Sequence, residues 1–93
     1  MTPTPEAPAV KIDYPTVYAF KVMGKQEHGF REYVRALFKR VLGTEVSLDS
    51  ISEQPSRQGR YISLTVSIYL LSEEQRQAVY MSLHKERRVL YYL

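Results

Sequence analysis

From Tyr61 to Leu70 the chain alternates polar and apolar residues with period two, the pattern of a strand with one buried face. Ile62, Leu64, Val66, Ile68 and Leu70 share one side; Tyr61, Ser63, Thr65, Ser67 and Tyr69 share the other. An earlier run, Val17 to Gly24, sets Tyr18, Phe20 and Val22 against Ala19, Lys21 and Met23, and its low charge predicts a second central strand. From Glu27 to Leu42 the period changes. Phe30, Val34, Leu37, Phe38 and Val41 recur at three- and four-residue spacing, one apolar stripe of a helix. Gly43 suits the residue just past that helix, with Lys39 and Arg40 beside its carbonyl end. Glu45 to Pro55 reads as a weaker strand in which Ile51 falls out of phase with Val46 and Leu48, predicting a bulge or a frayed edge. Ser56 to Gly59 is a hairpin turn. Ser72 and Gln75 form a capping box that opens a second helix, running to about Lys85 and burying Val79, Tyr80 and Leu83. Val89 to Leu93 is a closing strand.

The order β-α-β-β-α-β, with right-handed crossovers, predicts an α+β, ferredoxin-like two-layer sandwich: a four-stranded antiparallel sheet with both helices on one face. The first and third strands are central. The helices cover one face, so the other is free for a partner. The residues expected there are Lys21 and Met23 from the first strand, Tyr61, Ser63, Thr65, Ser67 and Tyr69 from the third, and Leu90 and Tyr92 from the last.

Composition narrows this picture. Ninety-three residues suit one domain, placed at 14–93, and the Pro3, Pro5 and Pro8 stretch makes residues 1–13 a flexible tail. The absence of cysteine excludes disulfides and thiolate chemistry. No apolar run reaches membrane-spanning length and no secretory signal opens the chain, so a cytoplasmic protein without membrane contact is expected. The net charge of +3 is a mild bias toward anionic partners.

Candidate chemistry is sparse. His28 and His84 stand alone without ligands at metal spacing, which argues against a metal site. No glycine loop for phosphate and no Gly-x-Ser-x-Gly elbow is present, so neither catalytic residues nor a cofactor are expected. Arg31, Arg35 and Lys39 fall at i, i+4 and i+8 and share one helix face. They form either a phosphate-contacting stripe or a solvated face partly neutralised by Glu27.

Asp13-Tyr14-Pro15, Phe20 to Gly24, Pro55-Ser56, Gly59-Arg60-Tyr61, Ser63 and Thr65 together resemble the small bacterial YbeD-like family. Glu74-Gln75, Tyr80 to Leu83 and Val89 to Leu93 extend the likeness over residues 12–93. The resemblance implies a ferredoxin-like domain similar to the ACT-type regulatory domains of amino-acid metabolism, with no assigned activity. In such domains ligands bind after the first strand, which here corresponds to Gly24, Lys25 and Gln26 with Lys21 nearby. Two positions depart from the family pattern. Val41-Leu42-Gly43 stand where relatives carry a histidine, a small residue and proline, and Arg76 stands at an apolar position of the second helix, where its stem would cover the core edge with the guanidinium in water.

The reading is a non-catalytic regulatory or interaction module for a small metabolite or a protein partner, self-association included. The alternative is a single-stranded nucleic-acid binder that uses the open sheet face and the Arg31, Arg35 and Lys39 stripe.

Overall fold

The computed structural model describes residues 11–93. The tail expected at 1–13 lies outside the described residues except for Lys11 to Asp13, which form no regular element. Six main elements follow the expected order: β1 (Thr16–Lys25), α1 (Phe30–Leu42), β2 (Ile51–Pro55), β3 (Tyr61–Leu70), α2 (Glu73–Lys85) and β4 (Tyr91–Tyr92). They build a four-stranded sheet of order β2-β3-β1-β4, antiparallel throughout. β1 and β3 are central and pair over ten residues, from Thr16 opposite Leu70 to Lys25 opposite Tyr61.

The alternation in these two strands decides which face the helices cover. Phe20, Val22, Leu64, Val66 and Leu70 are fully buried and meet Val34, Leu37 and Phe38 of α1 and Val79 and Leu83 of α2. Each such side chain contributes about 1.5–3 kcal/mol by leaving water. The Phe20 and Phe38 rings meet edge-on at 5.4 Å, and Phe20 meets Tyr80 at 5.1 Å, tying β1 to both helices. Among the described residues no polar or charged residue is buried, so this layer is held by apolar packing alone.

The helix ends obey local rules. Gly43 takes φ 79° and donates its N–H to the Lys39 carbonyl at 2.7 Å, a left-handed cap that only glycine adopts without cost. Ser72 Oγ accepts from Gln75 N–H at 3.3 Å, and Gln75 Oε1 accepts from Leu71 N–H at 2.7 Å, so the capping box reaches one residue further back than usual.

The structure corrects two boundaries. α1 begins at Phe30 rather than Glu27, because Gly29 sits at φ 80° and closes a turn instead of entering the helix. The slip at Ile51 is not a bulge. Ser47 Oγ accepts from Asp49 N–H at 3.1 Å and caps a short 3-10 turn at Leu48–Ser50, after which Ile51 enters β2 opposite Val66. This turn resets the phase and leaves Val46 and Ile51 both buried.

Candidate functional site: the open sheet face

Odd-numbered residues of β1 and β3 point away from the helices. In register, Val17 faces Tyr69, Ala19 faces Ser67, Lys21 faces Thr65, Met23 faces Ser63 and Lys25 faces Tyr61. Ser52 and Gln54 of β2 lie beside Thr65 and Ser63 on the same side. On the other edge Tyr91 is the partner of Met23, and Leu93 exchanges two hydrogen bonds with Lys21, each 2.9 Å, so both share this face. No helix among the described residues covers it. Met23, Tyr61, Ser63, Thr65, Ser67, Tyr69 and Lys21 are therefore all where the sequence places them.

Tyr92 is not. It pairs with Val22, whose side chain is in the core, so its ring turns to the helix side. There it packs on Tyr80 at 5.8 Å, and its hydroxyl lies 3.0 Å from His84 Nδ1. The period-two assignment of the last strand slipped by one residue, and the physical reason is visible at Leu90. Leu90 N–H donates to the Met23 carbonyl at 2.8 Å although Tyr91 is Met23's register partner. Two residues thus oppose one, a bulge that inverts the phase at the strand's start. Leu90 itself is exposed, at 52%, just ahead of β4. Tyr91 and Leu93, which sequence reasoning passed over, take the outward places.

The face divides into two halves. Val17, Tyr69, Tyr91 and Leu93 are all more than half exposed. Val17 and Tyr69 stand side by side at one end of β1, and Tyr91 and Leu93 line its β4 edge beside Met23 and Lys21. With Ala19 and Met23 they make an apolar band in which Lys21 is the one charged member. Ser52, Ser63, Thr65, Ser67 and Gln54 make a hydroxyl-rich half over β3 and β2. The charges are one-sided. Lys21 and Lys25 lie on the face, and among the described residues no aspartate or glutamate does, because Glu53 of β2 is partnered with buried Leu64 and turns to the helix side. Arg57 and Arg60, in the β2–β3 hairpin next to Tyr61, add positive charge at one end, and neither forms an ion pair among the described residues.

The other predicted candidates fall elsewhere. Gly24 is in β1, buried, and not in a turn; Lys25 ends the strand, and Gln26 N–H donates to the Arg60 carbonyl at 2.8 Å. A Cβ on Gly24 would stand 2.5 Å from the Phe30 ring and 2.6 Å from the Arg88 carbonyl, so the close approach that requires glycine is made by the protein's own Phe30. The Arg31, Arg35 and Lys39 stripe does share one face of α1, and each member already meets an acid. Arg31 Nε lies 3.1 Å from Glu53, an ion pair without hydrogen-bond alignment. Lys39 Nζ is 2.7 Å from Glu45, and the Lys39 ammonium holds the Glu45 carboxyl below its usual range. Arg35 reaches Glu45 at 3.8 Å and gives two hydrogen bonds to the Val46 carbonyl, at 3.0 and 2.9 Å. The stripe fastens the α1–β2 connection to its helix.

The Arg76 guanidinium is not in water. It lies 5.3 Å from the centroids of both Tyr18 and Tyr80 and 2.8 Å from Glu73, with its side chain 16% exposed. Glu73 also accepts from Tyr14 at 2.5 Å and from Gln77 at 2.8 Å, which lowers its pKa. Burial and that carboxylate push Tyr14 up to about 12. Across the molecule Tyr33 donates to Glu86, while Arg88 lies 4.7 Å over the Tyr33 ring; burial and Glu86 raise Tyr33 to about 12. These clusters join residues 59 and 53 positions apart, and no spacing rule announces them. Beside α2 a shallow cavity of about 270 Å³ is lined by Gln77, Tyr80, Met81, His84, Lys85 and Tyr92. Among the described residues no group of acidic or histidine side chains could hold a metal ion, and no helix is long and apolar enough to cross a membrane.

Fold and site together define a small ferredoxin-like α+β protein with one bare sheet face. The family model "Protein of unknown function (DUF493)" matches residues 9–93, and the chain belongs to that family. A UPF0250 protein of Bordetella pertussis is 36% identical over 75 residues, spanning 78% of this chain and 79% of its own. One from Hahella chejuensis is 38% identical over 78 residues, covering 84% and 82%. A third, from Pseudomonas aeruginosa, is 30% identical over 90 residues, 96% of either chain. Among solved structures, the solution structure of protein HP0495 from H. pylori superposes with a TM-score of 0.72 at 14% identity, covering 100% of this chain and 97% of that one, and this likeness concerns the fold.

Proposed function

We propose that this protein is a non-catalytic interaction module that docks a partner protein on its open sheet face. In this reading it adapts or regulates, as the likeness to ACT-type domains suggests, and it performs no chemistry of its own. The observation that carries the proposal is the apolar band. Val17 at 65%, Tyr69 at 59%, Tyr91 at 55% and Leu93 at 58% exposure lie on the same uncovered sheet face, and large apolar groups gathered in this way mark contact sites. A protein surface accounts for Val17 and Leu93, which a nucleic acid would leave idle. The α1 stripe, with its acids already in place, adds little to a phosphate track.

A photo-crosslinking amino acid substituted at Thr65, in the middle of the face, and at Ala36, exposed on α1, tests the reading in cells. The expected result is a discrete heavier adduct from Thr65 and none from Ala36. Equal adducts from both positions, or none from Thr65, would refute docking on this face.

A further inference from the structure

The reading of the open face as a docking surface can be taken further, to the chemistry of what docks there. The face carries Lys21 and Lys25 with no aspartate or glutamate among the described residues, and Arg57 and Arg60 stand at its hairpin end. Two copies packed face to face would bring these cations toward one another with no acidic side chain of the described residues on either face to answer them, and like charges brought together at an interface are penalised. A second copy is thus a poor occupant. The complement of this surface is apolar along one line and acidic beside it.

The shape of the band names the kind of element. From Val17 to Met23 the band spans seven residues of β1, Lys21 among them, or six steps and roughly 20 Å at ~3.3 Å per residue. A helix of about 13 residues has that length at 1.5 Å per residue. The covered face shows that this sheet accepts helices lying along its apolar rows, where α1 and α2 seat Val34, Leu37, Val79 and Leu83. We infer that the open face binds an acidic amphipathic helix of another protein, its apolar stripe on Val17, Tyr69, Tyr91 and Leu93 and its carboxylates toward Lys21 and Lys25. The occupied sheet would then have helices on both faces.

Two synthetic helical peptides of about 14 residues test this, matched to the band's length. They share one leucine stripe and differ in having glutamates or lysines on the flanks. Titrated against the full chain at low salt, the glutamate peptide is expected to bind at least about tenfold more tightly, and its affinity to fall by a similar factor when salt is raised or in Lys21→Glu/Lys25→Glu. Both lysines are exposed, so the doubly substituted chain keeps its fold, checked by its circular dichroism. Lys21→Gln/Lys25→Gln should fall between the two. The inference is overturned if neither peptide binds, if both bind alike, or if the charge reversal leaves the affinity unchanged. It is also overturned if an oligothymidylate binds more tightly than the glutamate peptide, or if sedimentation shows a dimer that Tyr69→Ser dissolves. A Thr65 adduct in cells combined with any of these results would keep the docking face and discard only the acidic helix. Loss of both would remove the whole reading.

Discussion

The two faces of one sheet are made by the same strands, residue by residue, and they obey different rules. On the helix side Phe20 and Val22 of β1 and Ile62, Leu64, Val66 and Leu70 of β3 are apolar and sealed by α1 and α2. On the other side the alternate positions carry hydroxyls, lysines, tyrosines and stray aliphatic groups in no packed order. Packing requires volumes to match closely, so the covered face tolerates little change. The open face is free of that demand, and its composition therefore reports something other than stability. Its one-sided charge and its apolar band are the parts of the molecule that folding alone does not require.

Substitution at neighbouring positions should expose the contrast most strongly. Leu64→Ala, in the core, is expected to cost about 2–5 kcal/mol in denaturant unfolding, while Thr65→Ala beside it should stay within about 0.5 kcal/mol. Comparable losses from both would mean that the open face is covered in the free protein. Gly24→Ala comes next. Its added methyl would meet Phe30 and the Arg88 backbone, so a loss of about 1–3 kcal/mol is expected by the same measurement. A neutral result would show that Phe30 moves away freely.

The aromatic clamp on Arg76 should matter less. Arg76→Lys keeps the charge but cannot stack flat on Tyr18 and Tyr80, and a cost of about 0.5–1 kcal/mol is expected, read as a lowered Tm. An unchanged Tm would make the stacking incidental. A pH series probes the tyrosine–glutamate pairs. Tyr14 and Tyr33 have folded pKa values raised from 10.0 to about 12, so the folded state holds these protons more tightly than the unfolded one. Their contribution is complete below about pH 10 and is lost as pH rises toward 12. The Tm of the parent protein should fall faster across that window than that of Tyr14→Phe/Tyr33→Phe; parallel curves would count against the pairs. Last, Lys39→Gln should leave the Tm nearly unchanged in thermal unfolding, since its partner Glu45 is on the surface.

Much of this architecture was legible before any coordinates. Periods of two and near four, Gly43 beyond α1 and Ser72 ahead of α2 place four strands and two helices in order, because these signals act over a few residues. The open-face candidates from β1 and β3 follow for the same reason, as alternation over ten residues leaves no ambiguity of side. The misplacements are also local in origin. Gly29 and Ser47 reset the backbone where a pattern of hydrophobicity is blind to left-handed or 3-10 turns, and the extra residue at Leu90 reversed Tyr92.

The sequence by itself determined which residues form strands and helices and which side of each central strand is apolar, since both depend on neighbours along the chain. Tertiary structure alone decided the pairing of Arg31, Arg35 and Lys39 with their acids, the enclosure of Arg76 by two tyrosines, and the filling of the space at Gly24 by Phe30. It also decided that Tyr91 and Leu93, not Tyr92, complete the exposed band. Each of these depends on residues distant in sequence meeting in space, where register and packing choose the partner and no local period records the choice.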